Sequence, residues 1–299
     1  MALKIIKASD VITVETIVMT LFAVPGVGKS TLGYSAANPL LLDFDRGAHR
    51  ALGRKDTGQF ECWEEVEGME QSDFDPYDTI VADTAGRALD LLAIKLCGEN
   101  TKWGRNGNLT LPGYGELKSR FLNWLKLLRS WGKDIVLIAH SEEKMKGDDM
   151  IERLDITGGS KGEIHKSSDA IGRLYLSNGQ RMLNFSPTDS AYGKNPAGFD
   201  VLAVPDYEDD QNFLAQVITD TKSAMNTMTA EQEAVAKIMC EWKTRCAGAD
   251  TPEEFDLMLV EVDGLATNAK ENIKRLIWAA SQDHGFTFDK RSKKFKAKK

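Results

Sequence analysis

Residues 23 to 31 read Ala-Val-Pro-Gly-Val-Gly-Lys-Ser-Thr, directly after the apolar run Ile17 to Ala23 and directly before a helical stretch that ends near Asn38-Pro39. A strand, a glycine turn closing on Lys-Ser and then a helix form the context in which the pattern G-x-x-x-x-G-K-[ST] acts as a phosphate-binding P-loop. Gly26 and Gly28 let successive backbone N–H groups turn inward around a β-phosphate, and the following helix adds the positive end of its dipole. Pro25, Gly26, Val27, Gly28, Lys29, Ser30 and Thr31 are therefore the candidate ATP-binding residues. The Lys29 ammonium suits a bridge between β- and γ-phosphates, and the Ser30 hydroxyl suits Mg²⁺. The first motif position holds Ala23 instead of Gly; it ends a strand and asks for a small residue more than for a positive φ.

A P-loop needs an acidic metal partner at the end of a neighbouring strand. Thr79-Ile80-Val81-Ala82-Asp83 supplies one, so Asp83 joins Ser30 as the candidate Mg²⁺ pair. Hydrolysis also needs a carboxylate that polarises water, and Leu40 to Asp45 offers Asp43 and Asp45. Strand alternation places both on one side, with Asp45 nearer the strand exit; a solvated strand-end carboxylate is the competing reading for each. Ile135 to Ala139 is another buried run, and His140 at its end suits a sensor of the γ-phosphate or a merely structural position.

Further apolar runs at Ile12 to Val14, Leu174 to Leu176 and Met182 to Phe185 complete a strand–helix alternation that predicts an α/β fold with a mainly parallel sheet. Leu117, Phe121, Trp124, Leu125, Leu128 and Trp131 recur at three- and four-residue spacing, a single apolar helical stripe. Asn100 to Gly115 reads as a surface loop. After about residue 226 the pattern turns helical, with start signals at Thr229-Ala-Glu-Gln232 and Thr251-Pro252-Glu253-Glu254. The expected division is a core over 1–226, a small helical domain over 227–289 and a basic tail over 290–299.

Taken together, the P-loop, Asp43-Phe44-Asp45, Ile80 to Thr84 and Val136 to His140 resemble the RecA-like ATPase core. More narrowly they resemble phage nucleotide-binding proteins of the Sak type, which are single-strand-annealing ATPases. The resemblance covers about residues 10 to 225 and includes Gly113-Tyr114-Gly115. It implies a RecA-like P-loop NTPase core that hydrolyses ATP with Mg²⁺, in which Asp45 is the catalytic acid, Lys29 and His140 act with it, and the segments after His140 contact DNA. The family carries a glutamate at the catalytic position and this chain the shorter Asp; a displacement of about 1 Å at such a group is worth roughly 100-fold in rate. The DNA candidates are Lys144, Lys146, Lys161 and Lys166, in loop-like stretches over 141–149 and 156–168. The implied partners are single-stranded DNA, a single-strand-binding protein and further copies of the chain in a ring or filament. Arg46, Arg54 and Lys161 are candidates for a contact across such a subunit boundary. The short stretch before Ile17 favours annealing over strand exchange.

Charge refines this picture. With 45 acidic residues against 38 Lys and Arg the formal charge is -7, so the whole molecule does not attract nucleic acid, whereas Lys290 to Lys299 is a basic block without an acid. Such a block reads as a solvated tail or a phosphate-seeking arm, and Phe286, Phe288 and Phe295 beside it could stack on bases. Four cysteines without metal-ligand spacing point to a reduced, cytoplasmic setting, the bacterial host's cytoplasm if the chain is phage-encoded. No run reaches the roughly 18 apolar residues of a membrane span. Two other functions compete: a P-loop small-molecule kinase, against which stands a candidate lid over 100–115 with only Lys102 and Arg105, and a nucleotide switch or scaffold that does not hydrolyse.

Overall fold

The computed structural model describes residues 13–146, 149–156, 160–265, 269–289, 292 and 294–297. Along the first part of the chain the elements are β1 (Val18–Ala23), α1 (Lys29–Tyr34), β2 (Pro39–Asp43), β3 (Thr57–Gln59), α2 (Trp63–Glu67), β4 (Thr79–Asp83) and α3 (Ala85–Glu99). There follow β5 (Gly104–Arg105), β6 (Asn108–Leu109), α4 (Leu111–Ser130), β7 (Asp134–Lys146), β8 (Asp149–Leu154), α5 (Ser160–Ser167), β9 (Ala170–Ser177), β10 (Gln180–Asn184) and β11 (Leu202–Val204). The chain continues with α6 (Phe213–Ala247), α7 (Pro252–Asp263), α8 (Lys270–Asp283), β12 (Phe286–Asp289) and β13 (Lys294–Ala297). Val14–Met225 forms one compact unit, and Asn226 to Lys299 belongs to a second.

The first unit is an α/β core of the RecA-like P-loop kind. Its nine-stranded sheet runs β11-β10-β9-β1-β7-β4-β2-β3, with β8 paired to β7. From β9 to β3 every neighbouring pair is parallel, and β10 and β11 extend the sheet antiparallel. Parallel strands carry helices on both faces and must be apolar on both, which the alternation of β1 satisfies. Val18 and Phe22 join Ile135, Leu137, Ile80 and Leu42 against α3 and α4 on one face. Met19 and Leu21 join Val136, Ile138 and Val81 against α1 and the start of α6 on the other. The α4 stripe buries Leu117, Phe121, Trp124, Leu125 and Leu128 as its spacing requires.

Several stretches differ from the sequence expectations. The stretch 100–115 is not an open loop: β5 and β6 pair antiparallel, and α4 starts at Leu111 behind the Thr110 cap, whose side chain accepts from the Gly113 N–H. Residues 141–146 extend β7 and pair with β8 as a hairpin, because the strand continues past the sheet instead of breaking at His140. Ser160 to Ser167 is helical, with Ile164 buried, while Gly158 and Gly159 lie outside the described residues. Thr13 and Val14 are not in a strand, and Ile12 lies outside the described residues. β3 is three residues long and carries no large apolar side chain, β8 mixes apolar with charged residues, and β11 is only three residues long.

The second unit is mainly helical. The capping signal at Thr229 starts no helix; α6 runs through it, since a capping sequence inside a helix is overridden when the backbone ladder continues. The signal at Thr251 does start α7, with Glu254 reaching back to the Thr251 N–H. The basic stretch is not wholly a tail, because Lys294–Ala297 pairs antiparallel with Phe286–Asp289. Phe295 is buried against Phe255, Trp278 and Phe288, a core contact that leaves it no free face for a base. Among the described residues no helix is long and apolar enough to cross a membrane.

The seat of α1 on the sheet gives a stability test. A Cβ on Gly33 would sit 2.9 Å from Val81 Cγ1 and 3.2 Å from Ile138 Cδ1, both on fully buried residues. Gly33→Val is expected to destabilise the chain by about 1–3 kcal/mol through overpacking, read from denaturant unfolding.

Candidate nucleotide-binding and hydrolysis site

The carboxyl ends of β1, β2 and β4, and the point where β7 stops pairing with β1, gather the candidate residues. Ala23 pairs in register with His140, and Asp43 with Asp83. Beyond these ends lies a cleft of about 430 Å³ lined by Pro25, Gly26, Gly28, Lys29, Ser30, Thr31, Asp45, Asp83 and His140, within the range of small-ligand sites. Val27 is the exception among the P-loop residues: it is buried in the core beneath the turn.

The turn has the backbone its glycines allow. Gly26 and Gly28 have φ of 85° and 98°, the left-handed region that side chains disfavour, whereas Ala23 is the last residue of β1 and needs no such conformation. Lys29 opens α1 and is 6% exposed. Its Nζ donates to the carbonyls of Ala23 (3.1 Å) and Val24 (3.0 Å), so the ammonium is folded back into its own loop. Burial lowers the Lys29 pKa, and the charges of Asp83 and Asp45 oppose that shift.

Ser30 Oγ donates to Asp83 Oδ2, which brings the two candidate metal ligands together. Asp83 is 4% exposed. Desolvation pushes its carboxyl upward, with the neighbouring charges of Asp43 and Asp45 adding to the shift, while the Ser30 hydroxyl and Lys29 oppose it. A hard oxygen pair holding an under-compensated buried carboxylate fits a small divalent cation that keeps most of its ligands as water and phosphate. Ser30 and Asp83 are the residues that would hold Mg²⁺.

Asp43 and Asp45 do not share one role or one side. Strand β2 ends at Asp43, so alternation does not extend to Asp45. Asp43 is fully buried and accepts from the Gly47 and Ala48 N–H groups and from Gln59 Nε2, which makes it the brace of its own loop. Asp45 faces the cleft, where its Oδ1 meets Arg87 Nε at 3.1 Å and its Oδ2 lies 3.4 Å from His140 Nε2. His140 Nδ1 is buried without a hydrogen-bond partner among the described residues.

Three of the basic candidates past His140 are next to an acid. Lys144 and Lys161 both meet Glu142, at 3.1 Å for Lys144, and Lys166 meets Glu163 at 3.0 Å, where Lys118 also binds. Lys146 is the last residue of β7. Of the residues suggested for a trans contact, Arg46 pairs with Glu61, Lys161 is engaged as above, and Arg54 lines a separate polar cleft with His49 and Lys55. Sequence reading missed Arg50, Gly47 and Ala51, which line the same cleft, and Arg87. Arg50 and Arg87 belong to no motif, and only the packing of the loop after β2 and the first turn of α3 brings them near.

Residues 15–197 match the model of a protein family described as an AAA domain. Among solved structures, a chain described as an ATPase domain is similar at 11% identity over 64% of this chain and 80% of that one, with a TM-score of 0.35, too distant to carry an argument. No curated protein sequence matches the chain.

The raised Asp83 carboxyl has a stability consequence. A carboxyl pushed up on folding costs stability once the pH passes its unfolded value, and that cost is complete above its folded value. At neutral pH and without ligand, Asp83→Asn is therefore expected to melt above the wild type, with the difference shrinking as the pH falls into the ordinary carboxylate range. The same variant is expected to lose the melting-temperature rise that Mg²⁺ and ATP give the wild type. Thermal melts across pH, with and without ligand, read both effects.

Proposed function

The chain belongs to the AAA domain family, a family of P-loop ATPases, and from that premise we propose that it hydrolyses ATP to drive a single-stranded-DNA annealing or recombination step. In this reading the glycine turn wraps the β-phosphate, and Lys29 leaves its two loop carbonyls to bridge the β- and γ-phosphates. Bound Mg²⁺ would neutralise developing phosphate charge. Asp45 orients the attacking water, and His140 registers the presence of the γ-phosphate. The observation that carries the proposal is the convergence of Lys29, Ser30, Asp83, Asp45 and His140 from four strands and the turns after them on one cleft.

The DNA part draws on continuity. Strand β7 pairs with β1 as far as His140 and with β8 from Ser141 onward, so the residue facing the nucleotide is covalently next to the first residue of the hairpin. A shift at His140 would be passed along one unbroken strand. Lys144 and Lys161 already neutralise Glu142, so a phosphate chain would have to compete with that acid. We further propose that the chain works as an oligomer on single-stranded DNA, alongside a single-strand-binding protein.

A second reading, a nucleotide switch without hydrolysis, is favoured by one feature: Asp45 is already engaged by Arg87 and His140. Asp45→Asn separates the two. Hydrolysis through Asp45 entails a fall in kcat of about 10²–10⁴-fold with ATP affinity retained; the switch reading entails no change. Single-stranded oligonucleotide is expected to raise the wild-type turnover and to bind with an affinity that falls as salt rises. Absence of both stimulation and salt-dependent binding would remove the DNA part while leaving the ATPase.

A further inference from the structure

We infer that Arg87 is a positioning residue that holds the Asp45 carboxylate in place for the attacking water. The inference rests on the reading of Asp45 given above. Asp45 lies beyond the end of β2, and its neighbour Arg46 has a φ of 51°, so no strand register fixes the direction of its side chain. A side chain in such a segment keeps one geometry only if another group tethers it.

Arg87 is well placed for that task. It sits in the first turn of α3, whose cap Thr84 directly follows Asp83, so the metal-side carboxylate and the tether share one strand–helix junction. Thr84 Oγ1 accepts from the Arg87 N–H. The guanidinium makes two contacts: Nε with Asp45 Oδ1 at 3.1 Å and Nη1 with Asp90 Oδ2 at 3.0 Å, the latter three residues along the same helix. Asp90 thereby braces the fork from behind. A planar fork held on two sides points its remaining contact in a defined direction, which a single flexible ammonium does not.

The pair is too exposed to be explained by stability. The Arg87 side chain is 58% exposed and that of Asp45 26%, and ion pairs in such surroundings contribute little to folding. Asp45 nevertheless keeps its capacity to act, because a carboxylate accepts in about four directions and Arg87 and His140 occupy one on each oxygen. The free lone pairs remain for a water in the cleft.

The test uses the full chain and four variants: Arg87→Ala, Arg87→Lys, Asp45→Asn and the Asp45→Asn/Arg87→Ala double variant, each followed by steady-state and single-turnover ATP hydrolysis and by thermal melts. Arg87→Ala is expected to lower kcat about 10- to 100-fold, the scale of a loosened catalytic group, with KM for ATP and melting temperature unchanged. Arg87→Lys restores part of the loss, and adding Arg87→Ala to Asp45→Asn lowers the residual rate no further. If Asp45→Asn cripples turnover but Arg87→Ala leaves kcat unchanged or raises it, or lowers it equally in the Asp45→Asn background, the positioning role is wrong and the role of Asp45 survives. Wild-type turnover in Asp45→Asn overturns the reading of Asp45 and this inference with it.

Discussion

The pairing of Ser30 with Asp83 is the contact on which the rest of the site depends. It joins the first turn of α1, the helix that follows β1, to the end of β4, and β7 separates β1 from β4 in the sheet. Three parallel strands in register keep that span fixed, and Gly33 lets α1 lie close enough for the hydroxyl to reach the carboxylate. The buried carboxylate is held against its desolvation by Ser30 and Lys29, while Asp43 and Asp45 push against it. A divalent cation held by Ser30 and Asp83 would compensate that buried charge, and its binding would then stabilise the fold.

The core was legible where the chemistry of the residues left few choices. The run Ile17 to Ala23 followed by Gly26, Gly28, Lys29 and Ser30 admits few structures other than a strand, a left-handed turn and a helix, and Asp83 follows from an apolar strand that must end at the same edge. The α4 stripe was equally readable, since six bulky residues at helical spacing need one buried face. Asp45 and His140 were found as strand-end residues, yet their proximity to one another depends on how the chain turns after β2, which no periodicity encodes.

The rest was hidden for physical reasons. The β7–β8 hairpin opens on the charged run Glu142-Glu143-Lys144, and such a sequence resembles a loop as long as the partner strand is unknown. Short β3 owes its place to hydrogen bonding with β2 more than to apolar content. The capping sequence at Thr229 misled because local capping energies are small beside the cooperativity of a long helix. The basic segment at the end of the chain masks Phe295, whose burial against Phe255 and Trp278 becomes visible only once the aromatic cluster is assembled. Arg87, the residue argued to steady Asp45, is one arginine among many until α3 is placed beside the loop that follows β2.

Calorimetric titration of the intact, folded chain with ATP and with a non-hydrolysable analogue, in the presence and absence of Mg²⁺, addresses the central claim most directly. Magnesium-dependent binding heat at a single site per chain, lost in Lys29→Ala, is the expected result. A folded chain that gives no magnesium-dependent heat with either nucleotide would contradict it.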